Sequence, residues 1–319
     1  MPNPNELRWN RRPGHYEVYY ITLTDPATGI GAWVRYTLEA PLHGEPSCAL
    51  WFATMDPDTG VVARKATRPI TELWAAGDPF SLRIGEAQLT DATASGAFED
   101  VAWELRWQPG RTYEPVPRRL QRFASTVLVL PHGDVGIDGT LKIGERSIEL
   151  SGARGGQTHL WGTKHAATWA WARCSDFRTE GGEPVPDTFV DGVSARVRRF
   201  GRDVGPSTLL VGRVGGEDLR STALLSRRTT FGPTDWRFEA SAGPRTLVGE
   251  VEADPRLQAG VTYHDPDGEP AYCYNSEAAS MRLEVRERGK PPITLVGDGR
   301  AHFEHGLRQP LPDAELHLR

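Results

Sequence analysis

The sequence predicts an all-β fold with little helix, arranged as two antiparallel barrels packed together. Three observations carry this. Glycine (34) and proline (25) recur as turn signals roughly every ten residues, the segments between them alternate apolar and polar side chains, and helical periodicity is nearly absent. A weak internal echo, Asp235-Trp236-Arg237-Phe238-Glu239 against 101–107, each followed by a turn with Pro and Gly, points to two related halves.

The first strand is 15–24 (HYEVYYITLT), closed by the turn Asp25-Pro26-Ala27-Thr28-Gly29. Strands 31–39 and 47–55 follow across short turns and complete an antiparallel meander. Residues 68–80 read as one helical turn or a short helix, stopped by Gly77 and Pro79. Short strands at 81–84 and 86–90 lead to 101–107, the clearest alternation in the chain, with Val101, Trp103, Leu105 and Trp107 on one face. With 120–130 the count reaches about eight strands, enough to close a small barrel, so a first unit is expected over 1–133. A second unit, 134–319, opens with a hairpin at 139–150 turning at Gly144-Glu145. Strands are then expected at 188–200, 207–214, 218–226, 235–241, 245–253, 260–264 and 271–288, with a last hairpin at 293–303.

Composition removes several functional classes. The net charge of -5 and the alternation of Arg with Glu (Arg282, Glu284, Arg286, Glu287, Arg288) do not fit a phosphate-tracking surface, so no nucleic-acid partner is expected. Cys48, Cys174 and Cys273 are far apart with no metal-ligand spacing, and they read as buried thiols; no metal and no cofactor are expected. Gly212 to Gly216 lacks the spacing of a dinucleotide loop, and no GxSxG elbow is present. His302 and His305, three residues apart, fall on opposite faces of a strand and do not form a metal pair. The N-terminus has no apolar signal-like run and no stretch is long enough to span a membrane, so a cytoplasmic protein is expected.

The chemistry concentrates in 154–177, RGGQTHLWGTKHAATWAWARCSDF, at the middle of the chain. On an extended strand His159 and Trp161 share a face, and Trp169 and Trp171 repeat the relation after a bend at 162–167. A hairpin of this kind starts the second barrel and gathers the indoles into one wall. Such a wall suits a planar apolar or polyene-like molecule and stabilises a carbocation through the ring quadrupole. The alternative is that these tryptophans fill a barrel core.

The pattern His-x-Trp-Gly, six residues, then Trp-x-Trp resembles the central signature of the hydroxyneurosporene synthase (carotenoid hydratase), AttH-like and tocopherol cyclase-like proteins. Gly14-His15-Tyr16-Glu17 followed by Trp33-Val34-Arg35-Tyr36 is similar to the amino-terminal lipocalin-like domain of that group. The resemblance implies two lipocalin-like (calycin) barrels and a cavity for a hydrophobic small molecule. In some relatives it also implies acid-catalysed hydration or cyclisation of an isoprenoid double bond.

Such a reaction needs a proton donor in a dry pocket. The candidates are His159, Asp176 (the acid nearest the signature, or a turn residue) and Glu17 (buried by context, or an ion-pair partner of Arg35). Asp187 and Asp191 open the next strand. His165 falls at the bend and is expected to be exposed. Trp161, Trp169, Trp171, Tyr272 and Tyr274 are the candidate ligand contacts. Three readings stay open: an enzyme of this type, a noncatalytic carrier of a lipid-like ligand, and a scaffold with filled barrels.

Overall fold

The computed structural model describes residues 3–199, 202–223 and 228–318. Two eleven-stranded antiparallel sheets account for nearly all of it. The first is built from β1 (His15–Thr24), β2 (Gly31–Ala40), β3 (Ser47–Asp56), β4 (Gly60–Pro69), β5 (Leu73–Gly77), β6 (Phe80–Ile84), β7 (Ala87–Thr90), β8 (Thr93–Phe98), β9 (Val101–Trp107), β10 (Thr126–Ile143) and β11 (Arg146–Gly162). Their order is β4-β3-β2-β1-β11-β10-β9-β8-β7-β6-β5. The sheet curls into a nearly closed barrel, because apolar residues at every second position must meet across its interior. Tyr19 and Ile21 of β1, Tyr36 of β2 and Phe52 of β3 pack there against Phe80, Leu89, Trp103 and Leu141. Trp103 stands edge-on to Tyr36 and donates its indole N–H to the Tyr36 hydroxyl at 2.9 Å.

The helical turn expected within 68–80 shrinks to a 3-10 turn at Ile70–Glu72. Three residues cannot propagate a helix, whereas pairing of β5 with β6 satisfies the backbone that follows. The strand expected from residue 120 begins only at Thr126, after the helical turn Arg118–Gln121.

The second sheet holds β12 (Thr168–Cys174), β13 (Arg178–Thr179), β14 (Phe189–Arg199), β15 (Arg202–Val214), β16 (Glu217–Ala223), β17 (Thr229–Phe231), β18 (Asp235–Ala242), β19 (Arg245–Glu252), β20 (Ala259–His264), β21 (Pro270–Glu287) and β22 (Ile293–Leu307). Its main order is β16-β15-β14-β12-β22-β21-β19-β18-β17, with β13 on β22 and β20 on β21. Its own core joins Ala170, Ala172 and Cys174 to Trp236, Phe238, Leu283 and Phe303. Phe200 and Ser226, the ends of two expected strands, lie outside the described residues.

The hairpin turning at Gly144-Glu145 is present, but its strands β10 and β11 complete the first sheet. The chain changes sheets between Gly162 and Thr168, well past residue 133. The 154–177 stretch therefore is not one hairpin: β11 ends the first sheet, and β12 lies within the second.

The outer face of the first sheet docks on the second. Trp33 of β2 and Ala49, Trp51 and Ala53 of β3 pack against Ala259 and Val261 of β20 and against Leu318. The approach is close at Gly31, where a Cβ would fall 2.3 Å from the Glu277 carbonyl oxygen, so only glycine fits. Polar staples cross the same seam. Arg173 of β12, fully buried, donates to Asp191 of β14 at 2.9 Å and to Thr158 of β11 at 2.9 Å. Thr24 donates its hydroxyl to the Glu277 carbonyl at 2.7 Å.

Candidate active site

Strand parity decides what faces the seam. On β1, Glu17, Tyr19 and Ile21 point into the first barrel while Tyr16, Val18 and Tyr20 point out; on β12, Ala170 and Ala172 enter the second core while Trp169 and Trp171 point out. These outward faces enclose a cavity of about 420 Å³ between the sheets. Leu160 of β11, Arg35 of β2, Val193 of β14, Leu209 of β15 and Glu304 of β22 add to its walls, and Val116, Leu120 and Phe123 lie along it from the β9–β10 connection. Its size and predominantly apolar lining suit a small organic molecule.

His165, on the connection between the sheets, lies on the wall of this cavity. Its ring is stacked between Tyr16, at 4.5 Å, and Tyr263, at 5.4 Å. Nδ1 donates to Asp265 Oδ1 at 2.6 Å, and the His165 backbone N–H donates to the same oxygen at 2.8 Å. Arg308 donates to the other oxygen at 2.6 Å. Burial opposes charge on Asp265, but the hydrogen bond and charge of His165 outweigh it and hold the carboxyl below its ordinary value. Among the described residues no group hydrogen-bonds Nε2. An imidazole oriented by a carboxylate through one nitrogen, with the other uncommitted on a cavity wall, is equipped for proton transfer.

A second polar group forms the floor. Arg35, 5% exposed, lies face-on to Trp33 at 4.1 Å, donates to the Tyr263 hydroxyl and donates to Asn275 Oδ1 at 2.6 Å. Its Nη2 is 3.8 Å from Glu304 Oε2, and Glu304 Oε1 accepts the Trp169 indole N–H at 2.9 Å. Behind them Glu277 sits at a break in the β21–β22 register, an irregularity of the kind that re-aims side chains. Burial raises its carboxyl to about 8, against the pull of Arg35. Asp191, which accepts the Trp171 indole N–H at 3.2 Å, is also raised by burial despite Arg173. Trp169 and Trp171 are thus each held by a carboxylate, while Trp51, also on the cavity wall, donates to the Thr37 hydroxyl at 2.9 Å.

The candidates from sequence are distributed unevenly. Trp169 and Trp171 line the cavity; His159, Trp161, Glu17, Asp176, Tyr272 and Tyr274 do not. Glu17 is fully buried and accepts five hydrogen bonds. Burial alone would raise its carboxyl, but the bonds from His15 and His159 help to hold it down at about 2. It is an ionised anchor for the N-terminal segment, not a proton donor, and Arg35 is not among its partners. His159 spends Nε2 on Glu17 at 2.8 Å and Nδ1 on the Pro4 carbonyl at 2.7 Å, leaving neither nitrogen for a ligand. Trp161 packs on His159 and lies under Arg8. Asp176 pairs with Arg300. The Tyr274 hydroxyl accepts from the Leu311 backbone N–H at 2.9 Å, and Tyr272 is half-buried away from the cavity. His165, expected to be exposed, is instead a wall residue, and Asp265, Glu277 and Glu304 carried no local signal in the sequence.

No family model matches the chain. Among solved structures it is similar to CghA (TM-score 0.65, 11% identity, covering 97% of this chain and 93% of that one). It is also similar to an AttH-like protein from Nitrosomonas europaea (TM-score 0.57, 11% identity, 94% of each chain) and to kievitone hydratase from Nectria haematococca (TM-score 0.52, 9% identity, 93% and 89%). These likenesses establish the lipocalin-like fold. In sequence, the uncharacterized proteins Rv0493c and MT0513 from two strains of Mycobacterium tuberculosis are each 30% identical over 309 residues, covering 94% of this chain and 89% of theirs. The chain belongs to the family of Rv0493c and MT0513, built on the two-sheet lipocalin-like fold of AttH-like proteins and CghA.

Proposed function

We propose that the protein binds a hydrophobic small molecule, of isoprenoid, polyene or polyketide type, in the cavity between its sheets and hydrates or cyclises it by proton transfer. The carrying observation is the His165–Asp265 pair on the wall of an aromatic cavity, with Nε2 uncommitted. In the acid form, Nε2 gives its proton to an electron-rich or polarised double bond. The positive charge that develops lies among the faces of Tyr16, Tyr263 and Trp169. Water adds to it, or a second double bond of the same molecule closes a ring, and the proton lost in that step returns to Nε2. The fold neighbours support the reading by analogy: one is named a hydratase, and CghA has been crystallised with the small molecule Sch210972.

The test has two stages. Tryptophan quenching against polyenes, prenylquinones and polyketides identifies ligands, and those that bind are incubated with enzyme in D2O. Hydration adds the mass of D2O, and cyclisation exchanges one hydrogen for deuterium. A ligand that binds but gains no deuterium above buffer makes the protein a carrier, and quenching by none of the panel removes both readings.

A further inference from the structure

The charges around the cavity restrict what enters it, an inference that rests on reading the cavity as a ligand site. Three arginines reach its walls or the seam behind them, and each already faces a carboxylate. Arg35 lies 3.8 Å from Glu304, Arg173 donates to Asp191 at 2.9 Å, and Arg308 donates to Asp265 at 2.6 Å. The hydrogen bonds of Arg35 go to Tyr263 and Asn275, its Nε is buried with no described partner, and its flat face is covered by Trp33. Glu277 is a fourth acid in this cluster, 1% exposed, with no described partner for Oε2. Its burial favours the neutral acid at pH 7. Acids therefore outnumber guanidinium groups, and burial, with the Glu304 carboxylate nearby, opposes charge on the surplus acid despite Arg35.

A ligand carboxylate or phosphate would have to leave water for a site whose guanidinium groups already face carboxylates, with the single His165 Nε2 left on the wall to meet it, so its large desolvation penalty is poorly compensated. A neutral oxygen meets no such obstacle. Tyr263 accepts from Arg35, which leaves its own hydroxyl proton to give to a carbonyl. Glu304 Oε2 stands beyond hydrogen-bonding distance of Arg35 and accepts from a ligand hydroxyl.

We propose that the cavity selects uncharged hydrophobic molecules carrying a hydroxyl or carbonyl, which is read at the Arg35–Tyr263–Glu304 floor, and rejects those with a carboxylate or phosphate head. Fatty acids and prenyl diphosphates are excluded as ligands.

Retinol, retinoate and methyl retinoate are matched probes, since they share one polyene and differ only at the head. Their affinities are compared by tryptophan quenching of the full chain at pH 8, above the range in which ordinary imidazoles are charged. Retinol and methyl retinoate are expected to bind, with retinoate at least about tenfold weaker than either. Glu304→Gln, which leaves Arg35 without its cavity-side carboxylate, is expected to bring retinoate to within about threefold of retinol. Retinoate binding as well as retinol to the unmodified protein overturns the inference and leaves the ligand-site reading standing. Methyl retinoate as weak as retinoate also overturns it, because shape and not charge then discriminates. Quenching by none of the three overturns both.

Discussion

Glu17 is the most heavily satisfied carboxylate in the chain, and its removal gives a prediction whose size follows from geometry. One oxygen accepts from the Arg8 backbone N–H, the Tyr19 hydroxyl and His159 Nε2, each at 2.8 Å; the other accepts from the Trp9 backbone N–H at 2.9 Å and His15 Nε2 at 2.8 Å. In Glu17→Gln an amide NH2 replaces one of these oxygens and turns a donor toward donors. Holding a carboxyl at about 2 in place of 4.5 is worth roughly 3 kcal/mol at neutral pH. The sign follows from the lowered value: this stability is fully present above the unfolded value and is lost as pH falls through about 2. Urea unfolding at pH 7, followed by tryptophan fluorescence, should therefore show Glu17→Gln less stable by about 3 kcal/mol, with a flatter decline than the unmodified protein between about pH 5 and 2. Hydrogen exchange should quicken first in the N-terminal segment that holds Arg8 and Trp9. Loss of less than about 1 kcal/mol, with an unchanged acid profile, would refute the anchoring account.

Other substitutions separate chemistry from packing. Asp265→Asn should lower deuterium incorporation into a bound substrate by about a hundredfold while changing its quenching affinity little; unchanged incorporation rules out the dyad. Arg173→Leu strands Asp191 in the seam and should cost about 3–5 kcal/mol in urea unfolding, most of it recovered in Arg173→Leu/Asp191→Leu. An equal loss in single and double variants would mean that packing, not charge, is lost. Gly306→Ala places a Cβ 2.1 Å from the Trp169 indole, which must then swing off β22 and away from Glu304. Weaker ligand quenching with a near-normal urea midpoint is expected, and unaltered affinity would remove Trp169 from the binding wall.

Much of the architecture was readable from the residues because period-two alternation is a local property. Val101, Trp103, Leu105 and Trp107 do share one buried face, and the pairs His159/Trp161 and Trp169/Trp171 each share a side of their strand. Parity cannot say which sheet a strand joins. The bend at 162–167 is where the chain crosses from one sheet to the other, so two pairs that look alike in sequence serve opposite purposes: one faces the N-terminal segment, the other the cavity. Nor does any local pattern link His165 to Asp265, a hundred residues away, or Arg35 to Glu304. Glu277, within Asn275-Ser276-Glu277-Ala278-Ala279, carries no local sign of its burial, which comes with the close approach of β2 at Gly31.

The seam also has a bearing on how such a protein changes over time. Alternate residues of β1 and β12 answer to different demands: one set fills a core, while the other lines the cavity. A substitution at Val18 or Val193 can reshape the cavity while each sheet keeps its own core, so a new cavity shape need not be bought with a weakened fold. Because both sheets contribute walls, whatever occupies the cavity also acts as mortar between them. Occupancy should then register as resistance of the two halves to separation, with loading of the guest and cohesion of the molecule becoming one equilibrium.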